Sequence, residues 1–132
     1  TCAGMVLLSR HIIEGQPEPL NVIDMVVSRN AFGRQIDSFE TQLFLEGLGR
    51  PPLQAIFIRA PVVAATGTNV KILGCLPDGR AVAVQQGPHM ATAFHPELTN
   101  DRRLHRKFLQ IVLSSINNDP NSINREAQPS PS

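Results

Sequence analysis

A chain of 132 residues holds one hydrophobic core but is too short for two comfortable domains. Twelve Lys and Arg against eleven Asp and Glu leave a net charge of +1 with no long run of either sign, which argues against a nucleic acid or an acidic surface as partner. Two cysteines, without CxxC spacing or a Cys/His cluster, argue against a disulfide framework or structural zinc; with no membrane-spanning run and no signal-peptide pattern, they fit a reducing, cytoplasmic setting.

The chain opens Thr1-Cys2-Ala3-Gly4-Met5, small residues around a cysteine, and an apolar run begins at once with Met5, Val6, Leu7 and Leu8. This is how a nucleophile elbow reads: a reactive side chain on a sharp strand-to-helix turn, at a helix N-terminus that favours the thiolate. Met5, Leu8 and Ile12 recur at helical spacing, and Val6, Leu7 and Ile13 widen the face nearly all round. The pattern predicts a buried helix over Met5–Ile13. Glu14-Gly15-Gln16-Pro17-Glu18-Pro19 ends it, since glycine terminates helices and proline cannot continue them. Val22, Ile23, Val26 and Val27 are β-branched and predict a strand from Leu20 to Val27.

Arg29-Asn30-Ala31-Phe32-Gly33-Arg34-Gln35 reads as a polar loop. Its composition suits a solvated connection, while an arginine there can also offer its planar fork to a carboxylate. Ser38–Leu45 alternates Phe39, Thr41 and Leu43 against Glu40 and Gln42, the pattern of a half-buried strand. After a turn cluster at Gly47–Pro52, Leu53–Ile58 reads as a strand ending at Arg59-Ala60-Pro61. Arg59 is either a surface residue closing that strand or a ligand contact at its end. Residues 62–68 are small, apolar and glycine-containing, and no element is assigned to them. Lys71–Leu76 and Arg80–Gln85 flank Pro77-Asp78-Gly79 as a hairpin, with Cys75 expected to pack in the core or sheet.

His89–Phe94 reads as a strand that delivers His95 at its C-terminal end, with His89 exposed beside a Gly-Pro turn. Thr99-Asn100-Asp101 supplies N-cap candidates for a helix running to about Ile116. Leu104, Phe108, Ile111, Val112 and Ser115 share one face of it. Arg102, Arg103, His105, Arg106 and Lys107 fall largely on a solvated face or a weak docking patch. From Asn117 to Ser132 the chain is polar and proline-punctuated, which predicts a disordered tail after a single α/β domain at 1–116.

A thiolate nucleophile needs a base. His95, with Glu97 two residues on, can supply the base and the group that orients it, a Cys-His-Glu set of Cys2, His95 and Glu97. The bland alternative is an inert buried cysteine and a chance His-x-Glu.

Four blocks carry a resemblance: Thr1-Cys2-Ala3-Gly4-Met5; Arg29 to Gln35 with Asp37-Ser38-Phe39-Glu40; Ile58-Arg59-Ala60-Pro61; and Phe94-His95-Pro96-Glu97-Leu98-Thr99. Together they resemble the glutaminase subunits of pyridoxal 5'-phosphate synthase, a branch of the class I glutamine amidotransferases, over about Thr1 to Ile116. The resemblance implies a flavodoxin-like, three-layer α/β fold with a mixed sheet, parallel at its centre and antiparallel around Lys71–Gln85. It implies Cys2 as nucleophile, His95 as general base and acid, Glu97 as the orienting residue, and Arg29, Ile58 and Arg59 at the L-glutamine site. No metal or cofactor is implied. Ammonia passes to a synthase partner in a hetero-oligomer.

Members of that branch carry about half a domain before the Thr-Cys turn, including the first parallel strands and a Gly-Gly-Glu-Ser loop. The chain is therefore expected to be a C-terminal portion lacking the N-terminal strands, weak or inactive by itself, since lost oxyanion donors cost on the order of a hundredfold in rate. Ser28 stands where the branch has an acidic residue. Two other functions stay open: a class I amidotransferase with a different ammonia acceptor, and a truncated, non-catalytic, partner-binding subunit.

Overall fold

The computed structural model describes residues 1–30, 32 and 37–118. In chain order these form helix α1 (Ala3–Leu8), strands β1 (His11–Ile12), β2 (Met25–Ser28), β3 (Ser38–Leu43), β4 (Leu53–Ile58), β5 (Val62–Thr66), β6 (Lys71–Cys75), β7 (Ala81–Gln86) and β8 (His89–Thr92), a 3₁₀ turn at Pro96–Leu98, and helix α2 (Arg103–Asn117).

The fold is α/β with a mixed sheet. Six strands run in the order β1-β2-β5-β7-β6, with β8 also on β7, and β3 pairs with β4 in a separate two-stranded sheet. β7 is the hub: β6 follows it from Lys71↔Gln85 to Cys75↔Ala81, while β5 meets its start at Val63↔Ala81 and β8 its end, from Ala83↔Thr92 to Gln86↔His89. Ala81, Val82, Ala83 and Val84 are all buried, so both faces of this strand are covered, which is why it reads as a continuous apolar run. The predicted hairpin at 71–85 is present. The parallel pairing among the described residues lies at the sheet edge, His11↔Val26 and Ile12↔Val27, and not at its centre.

The first helix is shorter than its periodicity suggests. Ser9 ends it, its hydroxyl donating to the Val6 carbonyl at 2.7 Å, the competition with helical bonding that serine side chains offer. Backbone N–H groups of Leu20, Val22 and Ile23 then take the carbonyls of Leu7 and Leu8 at 2.7–3.0 Å. Residues 20–23, expected at the start of a strand, thus satisfy the open end of a helix instead. Ile12 and the chain after Ser9 join the sheet. The face is not buried all round either, with Leu7 40% and Ile13 56% exposed.

β5 occupies the stretch to which the sequence assigns no element, with Val62 and Val63 buried and the small Ala64 and Ala65 exposed. Of the two placements expected for Cys75, core or sheet, the structure has the sheet: it ends β6 with its side chain exposed. His89, exposed as expected, opens β8. α2 opens with the Asp101 carboxylate accepting the Arg103 N–H at 3.0 Å. It buries Leu104 while Phe108, Leu109, Leu113 and Ile116 stay exposed. Arg103 is not part of a solvated face, because its guanidinium turns back to Asp101 and to the carbonyls of Leu48 and Pro51. The helix runs through Asn117, one residue into the predicted tail, whose residues 119–132 lie outside the described residues.

One core joins the elements. Met5 and Val6 of α1 belong to one buried cluster with Ile12, Ile23, Met25, Val27, Val82, Val84 and Phe94. Phe57 of β4, fully buried, stacks on Phe39 at 4.5 Å and meets Phe94 edge-on at 5.7 Å, tying the small sheet to the segment that leads into His95.

Candidate active site

Cys2 sits at the N-terminus of α1 with φ 47° and ψ −105°. An L-residue there carries strain on the order of 1–3 kcal/mol, which persists only where surrounding bonds impose it. They do so here. The Cys2 N–H donates to the Thr92 carbonyl at the end of β8 at 2.7 Å, and its own carbonyl accepts the Val6 N–H at 3.2 Å as α1 begins. The thiol sits 3.8 Å from the carbonyl oxygen of Ile58 at the end of β4, a weak contact that fixes direction more than energy. Arg59, the next residue, is also in the left-handed region at φ 46°. Its N–H donates to the Asp37 carbonyl at 2.6 Å and its Nε lies 3.6 Å from the Asp37 carboxylate.

His95 follows β8 by two core residues, Ala93 and Phe94. Its N–H donates to the Ile56 carbonyl on β4 at 2.9 Å, so the strand whose last carbonyl faces the Cys2 thiol also anchors the histidine. The 3₁₀ turn at Pro96–Leu98 folds Glu97 back on the ring, and Nδ1 donates to Glu97 Oε1 at 2.6 Å. A carboxylate there holds the proton on Nδ1 and leaves Nε2 as the nitrogen able to exchange protons. Partial burial pushes the Glu97 carboxyl up, but the hydrogen bond from His95, a backbone hydrogen bond and the histidine charge outweigh it, holding the group below its ordinary value.

Cys2, Arg29 and Arg59 line one cleft of about 260 Å³ with Ala3, Val6, Asn30 and Pro61. Ile58 reaches this cleft through its carbonyl. His95 and Glu97 do not line it; His95 donates its N–H to the Ile56 carbonyl, and Cys2 donates its own to the Thr92 carbonyl. Arg29 is held from the turn after β1: Glu14 Oε1 accepts its N–H at 2.7 Å, Glu14 Oε2 accepts the Ser28 hydroxyl at 2.9 Å, and the Gln16 carbonyl accepts from Nη1 at 2.8 Å. Periodicity gives no hint of Glu14 or Gln16, because it runs a helix through the residues that instead pair β1 with β2. Among the described residues no cluster of His, Cys, Asp and Glu is arranged to hold a metal ion, and no helix is long and apolar enough to cross a membrane.

Several known proteins are similar to this chain in sequence, and one solved structure is similar in fold. A pyridoxal 5'-phosphate synthase subunit PdxT from Parafrankia sp. (strain EAN1pec) is 52% identical over 118 residues, covering 88% of the chain and 58% of the relative. The PdxT of Nocardia farcinica is 47% identical over 135 residues, covering 98% and 60%. A solved structure described as a glutamine amidotransferase superposes with a TM-score of 0.77 at 46% identity, over 84% of the chain and 58% of its own, so the fold is that of a class I glutamine amidotransferase. The chain thus spans less than two thirds of these relatives' lengths. A model of the SNO glutamine amidotransferase family matches residues 1–114, and with that match over most of its length the chain belongs to the SNO glutamine amidotransferase family.

Proposed function

We propose that these residues form the hydrolytic site of a glutaminase that converts L-glutamine to L-glutamate and ammonia, with the ammonia supplied to a synthase subunit that builds pyridoxal 5'-phosphate. The observation that carries this reading is the strained Cys2, its thiol turned to the Ile58 carbonyl in a cleft shared with Arg29 and Arg59. In the proposed reaction the Cys2 sulfur adds to the side-chain amide carbon of glutamine and a tetrahedral oxyanion forms. His95, holding the thiol proton on Nε2, gives it to the departing nitrogen; the C–N bond breaks, releasing ammonia and leaving a glutamyl thioester. His95 then takes a proton from water as it attacks, and glutamate leaves with the sulfur restored. Glu97 orients the ring and stabilises its charged form. Arg29 and Arg59 bind the amino-acid carboxylate, whose planar geometry matches a guanidinium fork.

Ammonia is useful only if it reaches its acceptor, which supports a hetero-oligomer with the synthase, in keeping with relatives that are named as synthase subunits. Two unpaired cysteines suit a reducing, cytoplasmic compartment. The test replaces Cys2 by Ser in the assembled complex. Glutamine-dependent pyridoxal 5'-phosphate synthesis is expected to disappear while synthesis from added ammonia continues; unchanged glutamine-dependent synthesis overturns the reading.

A further inference from the structure

From the bonds around Arg29 we infer that Glu14 is the positioning residue of the substrate cleft, an inference that rests on Arg29 receiving the substrate carboxylate as proposed above. The parallel ladder between β1 and β2 ends where the Ile13 N–H donates to the Val27 carbonyl at 3.0 Å. The main chain then turns away: Gly15, at φ 82°, donates its N–H to the Ile12 carbonyl at 2.9 Å, a conformation that suits glycine. The Glu14 side chain takes over where the backbone leaves. One carboxylate oxygen accepts the Ser28 hydroxyl at 2.9 Å and the other the Arg29 N–H at 2.7 Å, while the same turn brings the Gln16 carbonyl to Arg29 Nη1 at 2.8 Å.

Arg29 is therefore gripped at both ends by one turn, and its side chain lines the cleft that holds Cys2. A free arginine loses much rotational freedom when it fixes a ligand, whereas one held beforehand loses less. Burial pushes the Glu14 carboxyl up slightly, and the bonds from Arg29 and Ser28 bring it below its ordinary value, in keeping with a carboxylate that stays ionised in this grip. Glu14 touches no reacting atom in this scheme. It acts through Arg29.

The experiment follows alkylation of Cys2 by iodoacetamide, read on the Cys2 peptide by mass spectrometry, with and without L-glutamine, in the assembled complex with the synthase subunit and with Cys75→Ser silencing the exposed second thiol. With Glu14 present, glutamine slows the labelling in a saturable way. Glu14→Ala is expected to raise the glutamine concentration for half-protection on the order of tenfold, leaving the unprotected labelling rate unchanged, since iodoacetamide needs no arginine. Glu14→Gln should restore protection to within about threefold, because its carbonyl oxygen still accepts the Arg29 N–H and the Ser28 hydroxyl can turn from donor to acceptor. Glu14→Asp, too short to reach both partners, should behave like Ala.

Half-protection unchanged in Glu14→Ala overturns the inference while leaving the glutamine reading intact. An equal slowing of unprotected labelling also overturns it, since that marks a general loss of structure. If glutamine fails to protect Cys2 with Glu14 in place, the glutamine reading falls and the inference with it.

Discussion

Glu97 shows how much chemistry one carboxylate sets at this site. It accepts the His95 Nδ1 proton at 2.6 Å and thereby selects the tautomer, so Glu97→Gln keeps the shape and loses the selection. By analogy with the orienting carboxylate of a Ser-His-Asp triad, where the amide costs about 10⁴ in turnover, we expect glutamine hydrolysis to fall by about 10²- to 10⁴-fold in a coupled assay. The carboxyl is held below its ordinary value of 4.5, so the ionised form adds stability that is fully present above that pH and lost as pH falls through the lower folded value. Urea titrations should find wild type more stable than Glu97→Gln at neutral pH and the gap closing well below pH 4.5; a constant gap would contradict the assignment. This pair was legible in the sequence because His95 and Glu97 are neighbours. Glu14 was not, because its partner Arg29 is reached only through a strand pairing that periodicity hides.

At the scale of elements, local signals succeeded where the deciding bonds are local. The hairpin between β6 and β7 follows from Asp78-Gly79 between two apolar runs, and β3 from its own alternation. They failed where the bonds are distant. Val6, Leu7 and Leu8 give up their carbonyls to Ser9 and to residues 20–23, and no helical spacing anticipates that. β5 pairs with the distant β2 from Ser28↔Val62 to Met25↔Thr66, with a register shift between Val26 and Val27 that no local signal marks. Packing between elements has its own test at Gly74 of β6, where an added Cβ would lie 2.2 Å from Leu45 Cδ2. Leu45 is buried at 4% exposure, so it must be displaced within the core. We expect Gly74→Ala to cost about 1–3 kcal/mol in urea unfolding; a variant as stable as wild type would mean that Leu45 moves freely.

On the scale of the whole molecule, the site belongs to no single element. Phe39, Phe57 and Phe94 carry contact from the two-stranded sheet to the approach to His95, and Phe32 continues that row toward Arg80, whose guanidinium lies 4.3 Å from its ring. The bonds that fix the proposed nucleophile and base run from Cys2 to the Thr92 carbonyl and from His95 to the Ile56 carbonyl, each joining distant parts of the chain. The amide of a residue at the start of a helix has no partner within the helix, and one left to water trades its hydrogen for deuterium within moments. That of Cys2 is locked to the last residue of β8, and the amide of His95 to the middle of β4, so neither can open without parting strands of the core. Hydrogen exchange should therefore find the two amides released together, on the slow timescale of the molecule's largest opening. Rapid exchange at Cys2 alone would mean that the proposed nucleophile comes loose while the rest of the fold stands.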